Sequence, residues 1–333
     1  VPGSYRKINY ALRPAKTIER KMLCEAFRRL YPFGKLETYR YIGFGSIYFS
    51  DFILFHRALG INNMLSIEKD EYARECFEFN KPYQCVTLDF RPSTSVLPGL
   101  DWDIRSIVWL DYEEQINGSI LSDITSVCSH ACSGSVILVS VNARPESEPD
   151  ASKKQEYTSE TGLPFDLDCY RLRCLKNQVL DYCLPPGISG KDLRGKGLAK
   201  VSRRLITSTI SEVLSIRNSL NTDTQKVAYH QIFNFEYSDG PLMLTVGGVL
   251  VSKEDEEKLN TCSFGDINFV KQGEEAYSIR VPCLTPKEIR YLNAQLPFMA
   301  SMSLDLPGVP PSDSKQYAEL YRYFPVFTEA FFS

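Results

Sequence analysis

Tyr41-Ile42-Gly43-Phe44-Gly45-Ser46 is followed, one βαβ unit later, by Leu65-Ser66-Ile67-Glu68. The first stretch closes an apolar strand that the pattern places over 38–42 and enters a Gly-x-Gly turn, and an apolar helix over 47–59 follows. The second stretch reads as a short buried strand ending in a carboxylate. Glycines at 43 and 45 let the backbone turn sharply and approach a ligand that any Cβ would push away. Glu68 lies about 20–25 residues on, where a nucleoside-binding α/β fold places the acid that grips ribose hydroxyls. The pairing points to a cofactor with an adenosine end, although Gly-x-Gly also occurs in ordinary βα turns. Tyr48 stands where the dinucleotide fingerprint carries its third glycine, which disfavours close packing around a pyrophosphate and weakens an NAD-dependent reading.

Outward from that stretch, strand and helix signals alternate as in a doubly wound sheet. A helical stretch over 71–79 precedes Cys85-Val86-Thr87-Leu88-Asp89, a third strand ending in an acid. Ile107-Val108-Trp109-Leu110-Asp111 is a fourth, closed by Asp111-Tyr112-Glu113-Glu114; a helix over 119–132 follows. Residues 135–142 have the β-branched density of a doubly covered parallel strand. Residues 146–200 are polar and punctuated by Gly and Pro, with one helix around 168–184, and read as an insertion that recognises substrate. A helix over 201–220 leads to a β-hairpin, 227–237 and 242–251, across Ser238-Asp239-Gly240-Pro241. Beyond it, 277–281 is a strand signal, and Thr285-Pro286-Lys287-Glu288 opens a helix with a capping box. The predicted organisation is an N-terminal helical segment (1–35), an α/β domain (36–252) and a C-terminal extension (253–333). The tail carries Tyr321, Tyr323, Phe324, Phe327, Phe331 and Phe332, an aromatic density suited to docking on the core or on a protein partner.

The chain has 333 residues, 43% hydrophobic and 24% charged, with a formal net charge of −3. That balance argues against a surface that tracks a phosphate backbone throughout, but allows a local basic patch. Arg13, Lys16, Arg20, Lys21, Arg28 and Arg29 punctuate the first helix and read as a solvated face. Lys191, Arg194, Lys196, Lys200, Arg203 and Arg204 crowd a Gly-rich segment, whose freed amides would assist an anion site. The ten cysteines are scattered through apolar segments, which suits reduced thiols and a cytoplasmic protein with no membrane association. Cys128 and Cys132 share a helix face but lack a second Cys/His pair, so no metal site is expected. His56 and His230 lie in apolar elements and read as structural.

The order and spacing of Gly43/Gly45, Glu68, Asp89 and Asp111, with a terminal hairpin, resemble a Rossmann-like (class I) S-adenosylmethionine-dependent methyltransferase over about 36–252. The resemblance implies a mostly parallel seven-stranded sheet with an antiparallel hairpin at one edge. It implies that S-adenosylmethionine is the cofactor, its methionine and ribose parts cradled by Tyr41, Gly43, Phe44, Gly45 and Ser46. Glu68 would hold the ribose hydroxyls and Asp89 the adenine amino group, while Asp111 would line the pocket on the cofactor side as well. Asp111, Tyr112 and Glu113 are the candidate catalytic residues, with Glu113 and Glu114 as possible bases for an acceptor that must lose a proton. Members of that superfamily usually carry an acid two residues before the first glycine; here it is Tyr41, so the donor's amino group needs another acceptor, such as a backbone carbonyl. The Pro-Pro-Tyr/Trp and Pro-Cys motifs of DNA methyltransferases are absent. The expected activity is methyl transfer to a small molecule, protein or RNA, and the alternative is a non-catalytic nucleoside- or partner-binding subunit. Arg194, Lys196, Arg203 and Arg204 would bind an anionic acceptor, RNA or a phosphorylated metabolite, at the pocket mouth.

Overall fold

Strand Ser106-Ile107-Val108-Trp109-Leu110-Asp111 shows how the sequence builds the fold. Its side chains alternate between two faces, and both faces are buried. Ile107 and Trp109 enter one hydrophobic core, and Val108 and Leu110 the other. A strand apolar on both sides belongs inside a sheet covered by helices on each face. A computed structural model describes residues 13–179, 183–219, 221–297 and 306–325. In chain order its elements begin with α1 (Pro14–Arg28), β1 (Arg40–Gly43), α2 (Ser50–Leu59), β2 (Asn63–Ile67), α3 (Arg74–Asn80), β3 (Val86–Asp89) and α4 (Ser93–Val96). Next come β4 (Ser106–Asp111), α5 (Gly118–His130), β5 (Val136–Asn142), α6 (Ala151–Thr161), α7 (Leu167–Gln178) and α8 (Gly197–Asn218). The remainder is β6 (Val227–Ser238), β7 (Leu242–Ser252), α9 (Glu256–Thr261), β8 (Tyr277–Ile279), α10 (Pro286–Asn293) and α11 (Pro311–Leu320).

The sheet order is β3-β2-β1-β4-β5-β7-β6-β8. β1 to β5 are parallel, β7 runs antiparallel to β5 and to β6, and β8 lies parallel to β6. The order reverses between β1 and β4, which opens a crevice at their carboxyl ends. The α/β class, the parallel strands and the hairpin are as expected; the sheet has eight strands rather than seven. The additional strand is the 277–281 signal, which comes from beyond the hairpin and pairs Phe235 with Tyr277 and Tyr237 with Ile279. Helix α2 starts at Ser50 rather than near 47, because Ser46 (φ 48°) and Phe49 (φ 44°) adopt the left-handed conformation. The polar 146–200 segment holds α6 as well as α7, each opened by an aspartate cap, Asp150 and Asp166.

Helix α1 is fixed from the far end of the chain. It starts on Pro14, and its next two amides, of Ala15 and Lys16, donate to the carboxylate of Asp239 in the β6–β7 turn at 3.1 and 2.9 Å. This is the cap that Arg13 does not supply. The opposite side of α1 meets the described part of the aromatic tail: the Tyr323 hydroxyl donates to Glu25, and Lys21 donates to the Phe324 carbonyl. Residues 321–325 therefore dock on the chain's own core, whereas Phe327, Phe331 and Phe332 lie outside the described residues. Among the described residues, no helix is long and apolar enough to cross a membrane.

Candidate functional site

A cavity of about 550 Å³ opens at the carboxyl ends of β1, β2 and β4, within the range typical of ligand pockets. Phe44, Gly45 and Ser46 line it after β1, Glu68 to Asp70 after β2, Arg91 to Thr94 after β3, and Asp111 to Glu114 after β4. Asp123 of α5 and Met243 of β7 contribute, as does Tyr237 of β6. Arg13 with Lys16 and Arg20 of α1 completes the wall.

Glu68 is almost fully buried. One carboxylate oxygen accepts the Gly45 N–H at 2.9 Å and the Ser66 hydroxyl at 2.7 Å. Burial pushes its pKa up to about 7, outweighing those two hydrogen bonds. Gly45 is required by this packing. A Cβ there would lie 2.5 Å from the Phe49 ring and 2.7 Å from Ser66 Oγ. The glycine therefore first makes room for the chain itself. Phe44 and Ser46 line the cavity, with the Phe44 ring edge-on to Tyr112 at 5.1 Å.

Three cofactor expectations need correction in position. Tyr41 points away from the cavity, because strand alternation turns it toward α2, where it packs edge-on to Phe52 and Phe55. Its hydroxyl donates to Asp51, and that carboxylate lines the cavity instead. Gly43 does not line it either: a Cβ there would sit 2.6 Å from the Tyr41 hydroxyl, so this glycine serves the Tyr41–Asp51 contact. Asp89 is turned onto Arg91, which clamps both its oxygens and holds its pKa below the usual carboxylate range. The acid that lines this part of the cavity is Asp123, fully buried, with Oδ2 accepting the hydroxyls of Ser93 and Tyr112 at 2.5 Å each. Its Oδ1 is buried without a partner. Burial raises the Asp123 pKa against those two bonds.

Asp111, Tyr112 and Glu113 all line the cavity. Asp111 keeps 30% side-chain exposure while Oδ1 accepts from Lys16 Nζ at 2.7 Å. The ammonium also reaches Tyr237 Oη at 2.9 Å and Glu19 Oε2 at 2.8 Å, and sits 4.3 Å from the centre of the Trp109 ring. Glu19 is fully buried, which raises its pKa despite Lys16. The network continues inward: Thr245 donates to Glu19, Thr245 and Ser140 share a hydrogen bond of 2.7 Å, and Trp109 Nε1 donates to Ser140 at 2.9 Å.

The two basic clusters exchange roles relative to expectation. Arg13, Lys16 and Arg20, expected on a solvated face, line the cavity. Arg194, Lys196, Arg203 and Arg204 do not line it. They pair with acids elsewhere: Arg194 with Asp168, Lys196 with Glu236, and Arg203 and Arg204 with Glu274. Glu236 and cavity-lining Tyr237 are neighbours on β6 and so point to opposite faces of the sheet. No cluster of three or more His, Cys, Asp or Glu suited to a metal ion occurs among the described residues.

A family model described as "Putative O-methyltransferase" matches residues 8–332, nearly the whole chain. The chain belongs to this family. Its fold and family are those of the S-adenosylmethionine-dependent methyltransferases that the sequence resembles. No curated protein matches the chain. Among solved structures it is similar to Trm1 from Pyrococcus horikoshii with S-adenosyl-L-methionine, at 10% identity and a TM-score of 0.38, over 72% of this chain and 57% of that one. An O-methyltransferase family protein from Burkholderia thailandensis has 10% identity and a TM-score of 0.34, over 70% of this chain and 55% of that one. A phosphoethanolamine N-methyltransferase from Haemonchus contortus, in complex with phosphomonomethylethanolamine and S-adenosylhomocysteine, has 13% identity and a TM-score of 0.31, over 68% and 52%. The match thus spans little more than half of each of these chains, and likeness at this level carries no residue assignment.

The residues present fit S-adenosylmethionine, the cofactor that the resemblance implies. The cavity combines a buried carboxylate, Glu68, beside the glycine turn with a partnerless acceptor oxygen on Asp123 and a partnerless donor, Nε of Arg20. Buried polar atoms without protein partners call for an explanation, such as a water, an ion or a functional role.

Proposed function

We propose that the protein transfers a methyl group from S-adenosylmethionine to an oxygen of a hydroxyl-bearing acceptor, with Asp111 as the base. The observation that carries this reading is that Glu68, at the end of β2, and Asp111, at the end of β4, face one cavity across the switch point of the sheet. Glu68 binds the ribose hydroxyls, and the Ser93 side of the cavity, rather than Asp89, receives the adenine. The bound cofactor supplies an electrophilic methyl on a sulfonium. Phe44 and Tyr112 offer aromatic surface to that cation. A hydroxyl acceptor must lose its proton as the new O–CH₃ bond forms. Lys16 fixes one oxygen of Asp111, and among the described residues the other oxygen makes no hydrogen bond, so it is available for that proton. Positioning by the cavity walls supplies much of the remaining rate.

An anionic acceptor held by Arg194, Lys196, Arg203 and Arg204 loses its support, since these residues are paired with acids away from the cavity. The acceptor enters beside Arg13, Asp111, Glu113 and Tyr237. The test is transfer of labelled methyl from S-adenosylmethionine into fractions of a cell extract, compared with Asp111→Asn. Label in one fraction that Asp111→Asn abolishes, with S-adenosylhomocysteine affinity retained, supports the reading. A wild-type protein that binds S-adenosylhomocysteine and labels no fraction refutes turnover and leaves a binding subunit.

A further inference from the structure

Two charges in the cavity wall oppose each other without pairing. Arg20 is 8% exposed and lines the cavity, with its Nε buried and lacking a hydrogen-bond partner. Among the described residues no carboxylate lies within the 4.0 Å of an ion pair from its guanidinium. Asp51 is 7% exposed, lines the same cavity, and is held in place by the Tyr41 hydroxyl. Burial raises the Asp51 pKa, and the field of Arg20 works against that rise. A buried guanidinium and a buried carboxylate are each costly unless paired. Sitting apart in one cavity wall, they are complementary to a ligand group that brings an anion to the first and a cation to the second. An α-amino-acid end carries both on one carbon. Gly45 and Ser46, the turn beside Glu68, line the same cavity.

We infer that Arg20 and Asp51 clasp the amino-acid end of the cofactor, the guanidinium binding its α-carboxylate and the Asp51 carboxylate its α-ammonium. This rests on the methyltransferase reading above. It makes α1, which precedes the first strand of the sheet, part of the cofactor site, and it makes the site selective for ligands that retain both charges. The Lys16 ammonium is not a substitute for Arg20, because it is already engaged by Asp111, Glu19 and Tyr237.

The test is calorimetry on the full chain, wild type and Arg20→Gln, with three ligands. They are S-adenosylhomocysteine, its decarboxylated form, and 5′-methylthioadenosine, which lacks the amino-acid end. Charge-assisted hydrogen bonds of this kind correspond to about tenfold or more in affinity. Wild type should therefore bind S-adenosylhomocysteine at least about tenfold more tightly than the decarboxylated form, and Arg20→Gln should erase most of that preference. Affinity for 5′-methylthioadenosine should be the same in both proteins. Equal losses for S-adenosylhomocysteine and 5′-methylthioadenosine in Arg20→Gln, or no loss for either, would overturn the clasp. Should Arg20→Gln not fold, the wild-type series decides: equal affinity for S-adenosylhomocysteine and 5′-methylthioadenosine sinks the clasp alone. A wild-type protein that binds none of the three refutes the methyltransferase reading itself. Asp51→Asn supplies the matching arm, and should lose the preference for S-adenosylhomocysteine over its deaminated form.

Discussion

Two stretches of this chain each carry six cations, one along α1 and one from Lys191 to Arg204, and the fold uses them in opposite ways. The α1 cluster, without glycines, sends Lys16 and Arg20 into the cavity wall, and the Lys16 side chain is 3% exposed. The Gly-rich cluster stays outside, with Arg194 and Lys196 about 60% exposed and tied to Asp168 and Glu236. Cation density alone therefore says little about function. What decides is the surface laid opposite: α1 is packed between the sheet and the C-terminal residues Tyr323 and Phe324, so Lys16 and Arg20 turn inward while Arg28 stays exposed. Four of the second cluster's six cations meet acids from α7, β6 and the segment before β8.

The comparison breaks first at Lys16. Lys16→Met leaves Glu19 buried without its cation and Asp111 without its clamp, and removing one partner of a buried ion pair costs about 3–5 kcal/mol. Denaturant unfolding should show a loss of that size; a loss under about 1 kcal/mol would put Lys16 with the solvent-exposed cations after all. Glu68→Ala comes next. It should weaken S-adenosylhomocysteine binding by about 1.5–3 kcal/mol, tenfold or more, read by calorimetry.

The same residue sets a pH dependence. The pKa of Glu68 is about 7 in the folded chain against an ordinary 4.5, so the folded state binds its proton more tightly. That contribution to stability is fully present below about 4.5 and is lost as pH rises through 7. Binding through the carboxylate runs the other way. S-adenosylhomocysteine affinity should fall as pH drops below about 7, and Glu68→Gln should flatten that profile.

Smaller effects sharpen the contrast. Gly45→Ala should cost about 1–3 kcal/mol in thermal or denaturant unfolding even without ligand, because its Cβ overpacks Phe49 and Ser66. Unchanged stability with lost binding would instead return the glycine to the ligand's path. The double variant Arg194→Gln, Arg204→Gln should change stability by no more than about 0.5 kcal/mol. S-adenosylhomocysteine affinity should be unaffected in that variant, and a measurable drop would reconnect the second cluster to the site.

Most of the sheet was legible because apolar alternation and strand-terminal acids are local patterns. Glu68 and Asp111 fell where the spacing put them. Asp123 was missed although it carried a signal. It sits among Ile120, Leu121, Ile124, Val127 and Cys128, a lone acid on the apolar face of α5, and buried acids need a reason. Asp51 gave no such sign, since an acid in the first turn of a helix is ordinary. Its position depends on the Tyr41 hydroxyl, a contact from strand to helix that no spacing encodes. Asp89 misled because its partner, Arg91, is only two residues away and satisfies it locally. In α1, the i, i+3, i+7 spacing of Arg13, Lys16 and Arg20 placed them on one face, but which face meets solvent is fixed by residues some 220 to 300 positions later.

The cap on α1 has a consequence for synthesis. Asp239 receives the amides of Ala15 and Lys16 across 224 and 223 positions. At typical elongation rates, that interval corresponds to roughly 10–45 s between the two ends of the contact leaving the ribosome. Throughout it, a helix with Ile18, Met22, Leu23 and Phe27 on its apolar side has no sheet hairpin to lie against. The nascent chain must therefore hold α1 in waiting, on provisional contacts with α2 or on a chaperone, until the β6–β7 turn emerges to anchor it.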